Sequence, residues 1–189
     1  MNRVPNILTV LRIILTIIFL FLISQNGLAP KIFAFLIFIT ASFTDFFDGY
    51  LAKKHNVTSD FGKLMDPIAD KFLILSAFFI FTQMRLIAPW MFVVIFLREV
   101  IITAIRLKAM QEGRVLAAER AGKYKTISQI VAICFILLFL ILQEAGSFHS
   151  LPKIFLVWQY GIHILMLVVV FLTLHSGILY ILSHRNFKS

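Results

Sequence analysis

Apolar runs recur along this chain, several of them long enough to cross a bilayer, and one of the most apolar, KIFAFLIFITASFT, finishes in DFFDGYLAKK, with two carboxylates, a glycine and two lysines. A stretch of about 18 or more apolar residues spans a membrane as a helix. In a chain of 189 residues that is 60% hydrophobic, such runs leave room for little else, so an all-α polytopic membrane protein is expected. The polar breaks predict six transmembrane helices, over 7–25, 31–54, 62–83, 88–110, 122–143 and 153–183. The last is longer than a span needs, so it should tilt, kink near Gly177 or run past the membrane surface. No Ser/Gly/Pro-rich linker, low-complexity tract or internal repeat divides the sequence, which predicts one membrane domain over 1–189. The opening MNRVPNILTVLRIILTIIFLFLIS pairs a basic residue with an apolar run as a signal peptide does. Its run is too long and lacks a small-x-small cleavage site, so a retained first span is expected.

Basic residues set the orientation. Arg3, Lys53, Lys54, Lys63, Arg106, Lys108, Arg114, Arg120, Lys123, Lys125, Arg185 and Lys188 fall on one side of the six-span scheme, and Lys31, Arg85 and Lys153 on the other. Positive residues favour the cytoplasmic face, which places both termini there, in a cell (inner) membrane. The formal net charge of +9 then suits anionic lipid or an anionic substrate. No nucleic-acid motif accompanies it. The single Cys134 lies in an apolar run and excludes both an intramolecular disulfide and a thiolate metal cluster.

The acids are concentrated rather than scattered. All the aspartates of the chain, Asp45, Asp48, Asp60, Asp66 and Asp70, lie between positions 45 and 70. Asp45 and Asp48 are three apart on the second helix and Asp66 and Asp70 four apart on the third, so each pair occupies one helical face. With a rise of about 1.5 Å per residue, Asp45 lies about 12 Å from Lys53 and Asp70 about 10 Å from Lys63. A short cytoplasmic turn joins the two helices, so both pairs are expected inside the cytoplasmic leaflet, facing each other across an antiparallel hairpin. Carboxylates at that depth need protons or cations as partners. An all-oxygen set without Cys or paired His favours hard Mg²⁺ or Mn²⁺ over zinc, and four carboxylates can hold two such ions about 3.5–4 Å apart, as phosphoryl displacement uses them. The plainer alternative is pairing of these aspartates with neighbouring lysines and arginines.

Two arginines sit at comparable depth: Arg12 about 12 Å inside on the first helix, and Arg98 about 13 Å inside on the fourth. For Arg98 an ion pair with Glu99 is the alternative to a substrate contact. Arg106, Lys108, Arg120, Lys123 and Lys125 lie nearer the rim, where snorkelling and topology compete with function as explanations.

The full spacing, Asp45-x2-Asp48-Gly49-x2-Ala52-Lys53-x8-Gly62-x3-Asp66-x3-Asp70, resembles the signature of the CDP-alcohol phosphatidyltransferases, integral membrane enzymes of phospholipid synthesis. PNILTVLRI, DPIADK, REVIITAIR and AGKYKTISQ extend the likeness over most of the chain, towards members whose acceptor is sn-glycerol 3-phosphate. One position departs: the family usually has Arg where Lys53 stands, which keeps the charge and loses a bidentate fork.

The resemblance implies transfer of the phosphatidyl group of CDP-diacylglycerol to the acceptor's 1-hydroxyl with release of CMP, on a six-helix fold that is commonly a homodimer. It also implies Mg²⁺ or Mn²⁺ on Asp45, Asp48, Asp66 and Asp70, with Asp70 as general base. Asn6, Thr9, Arg12, Gly49, Ala52, Lys53 and Gly62 are implied contacts of the cytidine diphosphate. Residue chemistry points to Arg98, Arg106, Arg120, Lys123 and Lys125 for the acceptor's phosphate, since arginines grip phosphate oxygens in pairs and lysines add point charges. His55, beside the motif turn, is read as a bystander. A divalent-cation transporter is the rival from another class; it leaves Gly49, Ala52, Gly62 and the basic cluster unexplained. Within the enzyme class the rivals are a cardiolipin synthase and an inositol-phosphate enzyme.

Overall fold

The computed structural model describes the backbone of residues 4–55, 60–111, 120–148 and 152–185, and the side chains of 10–43, 71–109, 122–148 and 153–183. Among the described residues the fold is all helical: α1 (Val4–Ser24), α2 (Leu28–His55), α3 (Asp60–Gln83), α4 (Pro89–Gln111), α5 (Arg120–Glu144) and α6 (Pro152–Arg185). The six intervals expected from apolar runs coincide with these helices to within three residues at either end. Five of the six are longer than expected and α4 is equal in length, because hydropathy fades at helix ends where backbone hydrogen bonding continues. Pro89 and Pro152 open their helices, where a missing N–H costs nothing and the fixed φ suits the first turn. Helix α6 is continuous over 34 residues, about 51 Å at the standard rise, and so outruns a hydrocarbon core of about 30 Å.

Large apolar side chains lie on the surface as well as in the core, and several charged groups lie inside. Phe21, Val157, Tyr160, Ile164 and Phe171 are exposed, while Arg12, Lys31, Glu99, Lys125 and Gln129 are buried. Apolar surroundings produce that arrangement, since polar groups then seek each other in the interior. Among the described residues, two segments, Gly122–Glu144 and Lys153–Ser183, are long and apolar enough to cross a bilayer, and Val10–Ser24, Leu28–Phe43 and Lys71–Gln83 are shorter apolar helices.

Packing places the elements around one centre. Helix α1 lies against α2 and α3; α5 touches α2, α3 and α6; and α4 is held between α3 and α6. Thus α1 and α5 each bridge the two helices that carry the aspartates. Phe19, Phe38, Phe78, Phe81 and Phe139 are fully buried among Ile and Leu. Phe135 stacks on Trp158 with ring centroids 4.4 Å apart, tying α5 to α6.

The turns distal to the aspartates are closed by specific hydrogen bonds. Lys31 Nζ donates to Ile23 O (2.6 Å) and Gln25 O (2.8 Å), and Glu144 Oε2 accepts from Gly27 N at 3.1 Å. Helices α3 and α5 end alike: Leu86 N bonds Phe81 O and Arg85 N bonds Thr82 O, as Ser147 N bonds Leu142 O and Gly146 N bonds Gln143 O. Both are Schellman ends, which put one residue in the left-handed region. In α5 that residue is Gly146 (φ 74°), but in α3 it is Arg85 (φ 57°). A side chain there costs about 1–2 kcal/mol, partly offset by the freedom glycine has when unfolded. Arg85→Gly is therefore expected to stabilise the protein by roughly 0.5–1 kcal/mol, seen as a thermal midpoint up to about 4 °C higher in detergent. A lower midpoint would contradict the assignment.

Candidate active site

Where α1 to α5 converge, the side chains line a partly open cavity of about 190 Å³. Its wall combines Arg12 of α1, Ala41 and Ser42 of α2, Lys71 of α3, Glu99 of α4, and Lys125, Thr126 and Gln129 of α5. Helix geometry explains the α5 contribution, since Lys125 and Gln129 are four apart and share a face. The wall adjoins the acidic segments directly: Ser42 lies one turn before Asp45 on α2, and Lys71 follows Asp70 on α3.

Glu99 organises the charges. Its side chain is 3% exposed, its Oε1 accepts from Lys125 Nζ and lies 3.3 Å from Arg98 Nη1, and its Oε2 lies 3.3 Å from Lys71 Nζ. Arg98 also donates from Nη2 to Ser176 Oγ of α6 at 2.9 Å, and Lys71 Nζ meets Thr103 Oγ1. A buried charge is tolerated only with partners, and each of these cations has one. Among the described residues, three cations on one carboxylate give this cluster a formal surplus of two positive charges. Gly177 makes the crossing of α4 and α6 feasible: a Cβ there would stand 3.2 Å from Arg98 Cγ. Gly177 thus passes the arginine, and α6 continues through it as helix.

The sequence-predicted residues divide into distinct groups. Arg12 and Lys125 line the cavity, and Arg98 joins it through Glu99. The ion pair weighed for Arg98 is present, and it is shared with two lysines. Arg106 is exposed and its guanidinium stands 5.4 Å from the ring centre of Tyr180, an arrangement that favours a cation over the π face. Lys123 is exposed on α5. The aspartates Asp45, Asp48, Asp66 and Asp70, with Gly49, Ala52, Lys53, Gly62, Asn6, Thr9 and Arg120, are on helices whose backbone is described, but their side chains lie outside the described residues. Sequence reasoning missed Lys71, Ser42 and Gln129, and used Glu99 only as a neighbour of Arg98. An acid within an apolar run was the available signal for Glu99, and the position after Asp70 the signal for Lys71.

Comparison with known proteins gives a concordant result. The model of the CDP-alcohol phosphatidyltransferase family matches residues 2–174. The CDP-diacylglycerol–glycerol-3-phosphate 3-phosphatidyltransferase of Bacillus subtilis (strain 168) is 35% identical over 189 residues, covering 94% of this chain and 92% of its own. A protein of the same name from Rickettsia typhi is 35% identical over 139 residues, or 73% of this chain and 78% of its own. The probable phosphatidylglycerophosphate synthase of Mycobacterium tuberculosis (strain ATCC 25618 / H37Rv) is 40% identical over 134 residues, 69% of this chain and 64% of its own.

Proposed function

The chain belongs to the CDP-alcohol phosphatidyltransferase family, and from that premise we propose that it transfers the phosphatidyl group of CDP-diacylglycerol to sn-glycerol 3-phosphate, giving phosphatidylglycerophosphate and CMP. The observation that carries the choice of acceptor is the cationic cavity beside the aspartate segments. A phosphate monoester bears about −1.5 to −2 charge at neutral pH, which matches the surplus left by Lys71, Arg98 and Lys125 over Glu99. A cavity of about 190 Å³ is the size of a small polar molecule. The positive charge beside it supports an acceptor bearing a phosphate monoester over phosphatidylglycerol, the acceptor of a cardiolipin synthase, whose phosphodiester carries a single negative charge. Membership of a transferase family disfavours a cation transporter.

Six transmembrane helices in one membrane domain, with the site open to the cytoplasm and sideways to lipid, give this reaction its geometry. The diphosphate of the lipid substrate meets the site at headgroup depth while its acyl chains stay in the bilayer. Asp45, Asp48, Asp66 and Asp70 form an all-oxygen donor set that fits two Mg²⁺ or Mn²⁺ ions. Such ions, when bound, neutralise a diphosphate and stabilise charge on a leaving nucleotide. Asp70 receives the proton of the attacking 1-hydroxyl, while the O–P bond to the β-phosphorus forms and the bond to CMP breaks. Arg12, with Asn6, Thr9, Gly49, Ala52, Lys53 and Gly62, holds the cytidine diphosphate; Arg98 and Lys125 hold the acceptor's phosphate, with Arg106, Arg120 and Lys123 drawing it in from the rim. Pairing into a homodimer is carried over from the family resemblance.

The acceptor assignment is tested by incubating the purified protein with labelled CDP-diacylglycerol and glycerol 3-phosphate, phosphatidylglycerol or inositol phosphate, and identifying the lipid formed. Phosphatidylglycerophosphate is the expected product. Cardiolipin or an inositol lipid as the main product would overturn the assignment.

A further inference from the structure

Two polar atoms of the cavity wall are left over once the charges are paired. Gln129 is 1% exposed, and its Nε2 has no hydrogen-bond partner among the described residues; nor does Ser42 Oγ. Both residues line the cavity, from α5 and α2, which pack on each other. A buried donor without a partner costs about 1–3 kcal/mol, and native proteins satisfy nearly all such groups. An amide held open in a polar cavity is therefore matched to something that enters it.

The register of α5 suggests what enters. Gln129 lies one turn beyond Lys125 on the same face, about 6 Å along the axis. A ligand with its phosphate near Lys125 therefore presents to Gln129 whatever lies a few bonds away. We propose that Gln129, with Ser42 opposite, is the specificity-determining contact to the acceptor's non-reacting C2 hydroxyl, Nε2 donating to the hydroxyl oxygen. This rests on the acceptor being a small polyol phosphate, as argued above. Charge alone cannot choose among phosphate esters of similar size, and an uncharged donor at fixed spacing from the cations supplies the missing discrimination. A site built to bond a hydroxyl penalises an analogue lacking it, because the protein group is then left unpaired.

The test compares sn-glycerol 3-phosphate with 3-hydroxypropyl phosphate, which lacks the C2 hydroxyl, using the full-length protein in mixed micelles with CDP-diacylglycerol. The wild-type protein is expected to prefer the hydroxylated acceptor by about 10- to 100-fold in kcat/KM. In Gln129→Leu that ratio falls towards one, the loss falling on the hydroxylated substrate; Ser42→Ala reduces it by a smaller factor. Gln129→Met keeps the side-chain length, removes the amide and is expected to collapse the ratio likewise, which keeps the test independent of the packing of leucine. Equal loss on both acceptors, or an unchanged ratio, overturns the assignment. Failure of the wild-type protein to turn over either acceptor overturns the underlying reaction instead.

Discussion

Replacing Asp70 by asparagine is expected to leave a folded protein whose CMP release from CDP-diacylglycerol is slower by about 10²- to 10⁴-fold, the usual contribution of a positioned general base. Asparagine preserves the size of the side chain and much of its hydrogen-bonding capacity, but it cannot receive the proton of the attacking hydroxyl and is a poorer ligand for a hard cation. Position 70 immediately precedes Lys71 on α3, so it belongs to the segment that enters the cavity wall. Helix content and elution in detergent are expected to match the wild-type protein. Wild-type turnover by Asp70→Asn would remove Asp70 from the chemistry.

The second large effect is structural. Glu99→Gln keeps the shape of the buried side chain and removes the carboxylate shared by Lys71, Arg98 and Lys125. Breaking a buried ion network by removing one partner costs about 3–5 kcal/mol, because the remaining charges stay buried without compensation. In a protein of this length the thermal midpoint in detergent is expected to fall by roughly 10 °C. Combining Glu99→Gln with Lys125→Met should recover part of the loss, since one uncompensated cation goes with it; the non-additivity measures the coupling. A Glu99→Gln protein that melts with the wild type would show that the carboxylate does not hold the cations.

The helices were legible because apolar length is a one-dimensional signal, and it located each helix to within three residues. Its blind spot was the ends: Asp60 and Arg185 extend helices into polar sequence where composition stops being informative but backbone hydrogen bonding does not, and α2 starts at Leu28, ahead of Pro30 and Lys31. The paired aspartates fall on α2 and α3, the two helices the spacing assigned them to, while their side chains lie outside the described residues. Gln129, Ser42 and Lys71 were not legible, because their importance arises from which helices meet, and α5 touching α2 and α3 is a fact of packing. Arg98 shows the same limit from the other side. Its depth marked it as functional, yet whether it faces substrate or Glu99 depends on where α3 and α5 deliver Lys71 and Lys125. The answer is a shared cluster, in which Glu99 fixes the arginine and leaves net positive charge beside the cavity.

The most direct measurement of the central claim is the stoichiometry of CMP release against new lipid phosphate, for the purified protein with CDP-diacylglycerol and sn-glycerol 3-phosphate, with Mg²⁺ or Mn²⁺ and again with excess chelator. One CMP per phosphatidylglycerophosphate is expected with metal, and neither product with chelator. CMP release without lipid product, or undiminished transfer in chelator, would contradict the central claim.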